Sequence, residues 1–326
     1  MADYKGIQGY SVQKLSSDPG TLSEVEGQLW YNSTTGKFKV AVSGDGAWAS
    51  GGSLGTARYK AGGDGTQTAA YAVGGATPTI SALNEQYDGT SWTETADLQT
   101  ARSNLGSFGT PSTALAFGGN SPSITDITES WNGSAWSEVG DLNQSRTGLC
   151  GNGAGVSNTS GLVAGGTITP NTDETETWNG TSWTEVADLN RARESLGVRG
   201  TVTAAIAAGG SVSPKAETEI WNGTGWTEVA DLNTGRNAVG VAGTTTSAVC
   251  MGGVTPSSEI ANAETWNGTS WTEVTALSTA RARITSAGTG NTSALASSGQ
   301  LVGAAASDAC EEWNDPVYSA KTVTVS

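Results

Sequence analysis

Two charged residue types recur at fixed positions in this sequence, and they are the side chains best suited to catalysis or binding. A glutamate lies two residues before the first of two aromatic residues in six similar segments, and an arginine lies ten residues after the second aromatic residue. The members are Glu85, Glu129, Glu176, Glu219, Glu264 and Glu311, and Arg58, Arg102, Arg146, Arg193, Arg236 and Arg281. A carboxylate beside a guanidinium group can form a site, but it can also hold strands and loops together. Because a catalytic centre needs one asymmetric arrangement and this pair occurs once per segment, we interpret the series as structural.

The chain contains no histidine, and this excludes several kinds of active site. Histidine is the usual general base and the commonest metal ligand in proteins. The cysteines Cys150, Cys250 and Cys310 are widely separated and form no metal-binding or disulfide pattern, so reduced, buried thiols are expected. No pair of carboxylates stands outside the repeated series to hydrolyse a glycosidic bond. We therefore predict a protein that is not an enzyme, with no catalytic, cofactor-binding or metal-binding residues and no cofactor.

Three other repeated motifs have structural explanations. An aspartate follows the second tryptophan by five residues at Asp97, Asp141, Asp188 and Asp231, where a lone carboxylate suits a turn or cap better than a calcium site. The Asn-Gly-Ser/Thr motifs match a glycosylation sequon, but Asn-Gly is also the strongest short-range hairpin signal. The Gly-Gly pairs are not followed by the Lys-Ser/Thr of a phosphate-binding loop.

The charge balance argues against two classes of partner. The formal net charge is −15, and no block of lysine or arginine occurs. Binding to a phosphate backbone requires a basic surface, so we expect no nucleic acid partner. The first six residues lack the apolar core of a signal peptide, and no apolar run is long enough to span a membrane as a helix. We therefore expect a chain made in the cytoplasm, without a signal peptide and without membrane insertion.

The repeat predicts the fold. Residues 176–189 are typical of one β-hairpin whose strands join at Asn179-Gly180, and similar hairpins recur along the chain. Their second aromatic residues are spaced 43 to 47 residues apart, at Trp48, Trp92, Trp136, Trp183, Trp226, Trp271 and Tyr318. A Gly-interrupted run and a short apolar run precede each hairpin, which gives four short strands per unit. No segment has the periodicity of a helix. A unit of this length with four strands indicates an all-β chain folded as a β-propeller, with the tryptophans packed between blades.

We predict six four-stranded blades over residues 54–326 and an N-terminal arm with a β-hairpin over residues 1–53. The hairpin comprises two β-rich runs within residues 27–42, on either side of a Ser/Thr/Gly turn. Residues 319–326 are predicted to complete the sixth blade. A propeller of seven blades is the alternative, because residues 27–48 could supply the last two strands of a further blade.

The repeat unit resembles a kelch repeat. The resemblance rests on the Gly-Gly pair, the following Glu-x-aromatic motif and the tryptophan about five residues later, and it covers residues 54–326. The unit departs from typical kelch sequences in its uniform Trp-Asn-Gly-Thr-Ser-Trp turn and its Ala/Gly-rich inner strands. The resemblance implies a propeller of kelch-like blades.

The N-terminal segment resembles the corresponding part of bacteriophage tail-fibre-like and other virion proteins, especially those of marine phages. The similar stretches are residues 4–10 and 27–37, within the first 50 residues. This resemblance implies a virion location and a non-enzymatic structural component of a phage particle: a fibre, spike or decoration protein. Residues 1–50 are then expected to contact other virion proteins. The alternatives are a free carbohydrate- or protein-binding propeller and, with less support, a glycan-degrading enzyme.

The loops after the Gly-Gly pairs differ from blade to blade, unlike the rest of the repeat. They comprise residues 76–83, 120–127, 167–173, 211–216 and 254–263. Recognition usually resides in loops that a rigid scaffold holds in place. We therefore expect these variable loops to bind the host surface, through a glycan or a protein, if the chain has such a partner.

Overall fold

The computed structural model describes residues 12–25, 27–211, 216–315 and 317–324, and the chain divides into two compact units. The larger unit is Trp48–Asn314, and the smaller unit combines Met1–Ala47 with Asp315–Ser326. The two units therefore meet between residues 47 and 48, six residues before the predicted boundary, and the C-terminal segment clusters with the smaller unit. Among the described residues, the one helix is a 3-10 turn at Leu22–Val25, and no helix there is long and apolar enough to cross a membrane.

The larger unit contains six sheets of four strands each, which we number as blades in chain order. Blade 1 comprises Gly62–Thr66, Ala69–Val73, Asn84–Tyr87 and Trp92–Thr95. Blade 2 comprises Gly106–Thr110, Thr113–Phe117, Thr128–Trp131 and Trp136–Glu138. Blade 3 comprises Ala154–Ser157, Ser160–Ala164, Thr175–Trp178 and Trp183–Val186. Blade 4 comprises Gly197–Thr201, Ala204–Ala208, Thr218–Trp221 and Trp226–Glu228. Blade 5 comprises Gly240–Gly243, Ala248–Met251, Ala263–Trp266 and Trp271–Val274. Blade 6 comprises Thr285–Gly290, Ser293–Ser297, Cys310–Asn314 and Ala47–Ser50.

The innermost strands of the blades form a closed ring. Each of them packs against the innermost strand of the preceding and the following blade, and blade 6 packs against blade 1. The all-β, six-bladed propeller predicted from the repeat is therefore confirmed. The alternative with seven blades is wrong, because residues 27–48 do not add a further blade to this ring.

The ring is closed by an N-terminal strand rather than by the C-terminal one. Ala47–Ser50 is the outer strand of blade 6, next to Cys310–Asn314. The indole of Trp48 packs against Trp313 with ring centroids 5.4 Å apart, the same separation as between the two tryptophans of the blade 3 hairpin. The prediction that residues 319–326 complete this blade is wrong. The outer position of blade 6 is occupied instead by Ala47–Ser50, which precedes blade 1 in the chain. This pairing joins the beginning of the propeller chain to its last blade.

The tryptophans pack between neighbouring blades, as predicted. Trp183 of blade 3 contacts Phe117 of blade 2, with ring centroids 5.1 Å apart. Its indole Nε1 donates a hydrogen bond to Oγ1 of Thr128, also in blade 2, at 3.1 Å. The first tryptophan of the same hairpin, Trp178, donates to the carbonyl oxygen of Asn158 at 2.9 Å. Both indoles of this hairpin therefore bury their rings and still satisfy their polar N–H groups.

The smaller unit is built around one four-stranded sheet. Leu29–Asn32 and Lys37–Gly44 form the predicted antiparallel hairpin, with Leu29 opposite Val40. Gln13–Leu15 adds in parallel to the first of these strands, and Val317–Thr322 adds antiparallel to the second. Both ends of the propeller chain therefore continue into this sheet. The similar stretch at residues 4–10 lies outside the described residues.

Candidate functional site: the mouth of the propeller channel

The six arginine–glutamate pairs form inside the blades, as the structural interpretation expects. Each arginine side chain is fully buried and pairs with the glutamate on the third strand of the following blade. In the pair of Arg102 and Glu129 the Nη2–Oε1 distance is 3.0 Å, and Glu129 Oε2 also accepts the backbone N–H of Gln99 at 2.7 Å. The pairs therefore fasten each connector between blades to the blade that follows. None of them faces an open site.

The other repeated polar residues also have structural roles. Asp141 Oδ1 accepts the backbone N–H of Thr128 at 2.9 Å, at the start of a third strand. Asn179 Oδ1 accepts the N–H groups of Thr181 and Ser182 at 2.9 and 3.0 Å, within the hairpin turn. These contacts are the cap and turn roles predicted from the sequence.

A ring of residues with left-handed backbone conformation surrounds one end of the propeller axis. They lie two residues after each arginine, at Lys60, Asn104, Gly148, Ser195, Ala238 and Arg283, and all have positive φ. Backbone hydrogen bonds link several neighbours in this ring, such as Asn104 N to Lys60 O at 2.9 Å and Arg283 N to Ala238 O at 2.8 Å. We call this ring of six residues the mouth. It is the point where the connectors turn into the innermost strands.

The variable loops begin beside the mouth. The residue that follows each arginine pairs with the residue that follows the Gly-Gly pair or its equivalent. The pairs are Tyr59 with Ala76, Ser103 with Asn120, Thr147 with Thr167, Glu194 with Ser211, Asn237 with Val254, and Ala282 with Gln300. The loops expected to carry recognition therefore start on the face of the propeller on which the mouth opens, and residues 212–215 of one of them lie outside the described residues.

Below the mouth, side chains fill the axis. The thiol of Cys150 reaches the carbonyl oxygen of Ala61 at 3.5 Å. Deeper in the channel, the buried guanidinium of Arg199 donates to the carbonyl oxygens of Gly63 and Ser286 at 2.8 and 3.0 Å. These two acceptors belong to blades 1 and 6, while Arg199 belongs to blade 4. One side chain therefore ties three inner strands together across the axis.

Asp64 is the charged partner of Arg199, and sequence reasoning missed this pair. Arg199 Nε lies 3.7 Å from Asp64 Oδ1, and Asp64 also accepts the backbone N–H of Gly109 at 3.3 Å. Both charged residues are the third residue of an innermost strand. The residues at the same register in the other blades are uncharged: Phe108, Ala154, Ala242 and Ala287. This departure from the repeat is a signal that marks each of the two residues as unusual, but it does not show that they pair.

The stability that Asp64 contributes should depend on pH. Burial raises the pKa of Asp64 from 3.8 to about 6, although the charge of Arg199 opposes the rise. At a pH between these two pKa values, Asp64 is protonated in the folded protein and ionised in the unfolded chain. The stability that this group contributes therefore falls as the pH rises from 4 to 6. The fall amounts to at most about 3 kcal/mol, since each pKa unit corresponds to about 1.4 kcal/mol.

Urea unfolding of the wild type and of Asp64→Asn between pH 4 and 7 tests this expectation. The unfolding free energy of the wild type minus that of the variant should decrease between pH 4 and 6. Asp88→Asn is the control, because backbone hydrogen bonds from Ser91 and Thr90 lower the pKa of the exposed Asp88 carboxyl. The unfolding free energy of the wild type minus that of Asp88→Asn should not decrease between pH 4 and 6. A flat profile for Asp64→Asn would contradict the assignment.

A shallow cleft opens on the same face, between the loops of blades 1 and 6. Its volume is about 310 Å³, and its lining comprises Ala57, Tyr59, Thr77, Pro78, Ala304, Ala305 and Ala306. The one aromatic ring in this lining is that of Tyr59, which directly precedes Lys60 of the mouth. Within the described chain no group of three or more histidine, cysteine, aspartate or glutamate residues is arranged to hold a metal ion.

Comparison with known proteins gives the fold but no family. No family model matches the sequence, and no curated protein matches it. Among solved structures, one described as "Structure of YjhT" superposes with a TM-score of 0.68 at 14% sequence identity, covering 82% of this chain and 99% of that chain. Likeness at this identity reflects shared architecture, and function depends on the site rather than the fold. The chain is therefore similar to a known β-propeller structure in fold alone.

Proposed function

We propose that the chain is a non-enzymatic structural component of a bacteriophage particle, held by its smaller unit and presenting the propeller to the host surface. The N-terminal resemblance to virion proteins motivates the phage assignment. The observation that carries the proposal is that the polypeptide enters and leaves the propeller through one separate β-sheet unit. In that arrangement a single attachment unit holds a rigid scaffold by both of its chain ends.

The distribution of variable residues supports a role in recognition. The shared tryptophans, glutamates and arginines are buried within and between blades, where they maintain the scaffold. The loops that differ between blades start at the mouth, on one face. A binding face of this kind, on a rigid scaffold, suits contact with a glycan or a protein on a cell.

Incorporation into particles tests the attachment role. We expect a chain reduced to residues 46–314, which keeps the closed propeller, to be absent from purified particles. The matched control is the full chain with residues 76–83 replaced by a Gly/Ser loop, which should be incorporated normally and should bind host cells less well. Incorporation of the reduced chain at the wild-type level would contradict attachment through the smaller unit.

Two outcomes would favour the other functions considered above. A wild-type protein that is absent from particles but gives a clear hit on a glycan array would be a free binding module. Turnover of a host polysaccharide by the pure protein would make it a glycan-degrading enzyme.

A further inference from the structure

Two cations at the mouth differ from the other lysines and arginines in the described part of the propeller. Within residues 48–211 and 216–314, every other lysine or arginine lies within 4.0 Å of a carboxylate. Lys60 and Arg283 have no carboxylate within that distance among the described residues. In a chain with a net charge of −15, unpaired cations are unexpected, and two of them at one place more so.

Lys60 and Arg283 occupy the same repeat position in adjacent blades. Lys60 leads into the innermost strand of blade 1 and Arg283 into that of blade 6, and these two strands pack against each other. Both residues have left-handed backbone conformation, with φ of 61° and 53°. Both side chains are only partly exposed. Charges of the same sign are therefore held close together at one side of the mouth.

The neighbouring groups orient these cations without neutralising them. Arg283 Nη1 donates to the neutral amide oxygen Oε1 of Gln300 at 2.6 Å, which leaves the remaining guanidinium N–H groups for another acceptor. Lys60 Nζ lies 5.4 Å from the ring centroid of Tyr59. Burial lowers the pKa of Lys60 and the charge of Arg283 lowers it further, while burial raises the pKa of the Cys150 thiol to about 11. The nearby thiol thus stays uncharged at neutral pH.

We propose that Lys60 and Arg283 form a binding site for an oxyanion, a carboxylate or phosphate group of a ligand that enters the mouth. A guanidinium group and an ammonium group are the side chains that bind such groups best, since both donate charge-assisted hydrogen bonds. The cleft between the loops of blades 1 and 6 is lined by Tyr59, the residue before Lys60, and by small side chains. It gives space for the uncharged part of the ligand, such as a sugar ring stacked on Tyr59.

This site deepens the proposed function by naming the chemical class that the recognition face would bind. It rests on the proposed function only for the biological source of the ligand, because binding of an oxyanion can be measured on the isolated protein. Loss of incorporation into particles and loss of oxyanion binding are separate measurements. Either proposal can fail without the other.

Titration calorimetry of the full chain in 150 mM NaCl tests the site, because at that ionic strength charges beyond about 8 Å are largely screened. The probes are inorganic phosphate, a hexamer of glucuronic acid and, as the neutral control, maltohexaose. Binding of phosphate indicates a site for small oxyanions, whereas binding of the uronic acid hexamer without phosphate indicates an acidic polymer. Maltohexaose should not bind at the same concentration.

The variants follow the repeat, so that they keep the fold. Lys60→Asn and Arg283→Ser introduce the residues found at this position in blades 2 and 4, Asn104 and Ser195, whose φ values are almost the same. Together they should weaken binding of the anionic probe at least tenfold. Arg191→Gln removes an exposed cation elsewhere and should leave binding unchanged. Absence of binding to both anionic probes, or equal binding by the double variant with an unchanged melting temperature, would overturn the proposal.

Discussion

A fragment of residues 46–314 is expected to melt at a temperature at least about 6 °C above that of a fragment of residues 51–314. The two differ only in the strand Ala47–Ser50 and the glycine before it, which complete blade 6. Removal of this strand exposes Trp313, which is fully buried in the closed ring. It also removes the hydrogen bond from Trp48 Nε1 to the carbonyl oxygen of Thr275 in the connector after blade 5, at 3.0 Å.

The expected magnitude follows from the buried surface that is lost. Loss of a large aromatic contact in a core costs about 3–5 kcal/mol. In a domain of this size, a change of 1 kcal/mol shifts the melting temperature by about 2–4 °C. The shorter fragment also has an unpaired edge at Cys310–Asn314, so it should aggregate more readily on heating.

A third fragment separates the missing strand from the mere loss of residues. Asn314 can be followed by Gly-Thr-Ser and then by residues 48–50, which copies the turn between Trp178 and Trp183 in blade 3. This rearranged chain builds the hairpin of blade 6 from contiguous residues and should recover most of the lost stability. Differential scanning calorimetry of the three fragments provides the comparison. Equal melting temperatures for the fragments 46–314 and 51–314 would show that the strand does not close the ring.

The repeat predicted the number of blades and their strands, but not the way in which the ring closes. Glu311 and Trp313 lack a second tryptophan downstream, and Trp48 lacks the preceding Glu-x-aromatic motif. Each of these two segments therefore carries only half of the hairpin motif, and the repeat pattern alone does not pair them. Tyr318 lies at the right spacing to take the place of Trp48, and a periodicity along the chain cannot register that the two ends of a ring meet in space.

The axis and the mouth were beyond sequence reasoning for a related reason. Asp64 and Arg199 are charged exceptions to a repeat position that is otherwise uncharged, but they are separated by more than 130 residues in the chain. Lys60 and Arg283 hold equivalent positions in the first and last blades, which become neighbours only when the ring closes. The scaffold could be predicted because every blade repeats it. The candidate site could not, because it consists of the departures from the repeat.

This closure also affects how the attachment role is tested. A deletion of residues 1–50 removes the smaller unit's hairpin together with the outer strand of blade 6. If such a chain were absent from particles, the cause could be either unfolding of the propeller or removal of the attachment unit. The fragment of residues 46–314 avoids this ambiguity because it retains the strand.

Substitution of one buried glutamate should be nearly as damaging as opening the ring. In Glu129→Gln the neutral side chain no longer compensates the buried charge of Arg102, whose side chain is fully enclosed. Burial already lowers the pKa of the Arg102 guanidinium, and Glu129 opposes this effect. Removal of one partner of a buried ion pair typically costs about 3–5 kcal/mol. The variant also weakens the acceptor for the backbone N–H of Gln99, which fastens the connector from blade 1.

The matched control is Arg191→Gln, which breaks the pair with Glu217 from its exposed side, since the Arg191 side chain is 60% exposed. Exposed pairs contribute about 0–1 kcal/mol, so this variant should unfold close to the wild type in guanidinium chloride, as followed by tryptophan fluorescence. Because the repeat places an equivalent glutamate in every blade, Glu264→Gln should reproduce the loss seen for Glu129→Gln. If both buried variants unfold within 1 kcal/mol of the wild type, the pairs do not hold the blades together, and the reason for their sixfold repetition must be sought elsewhere.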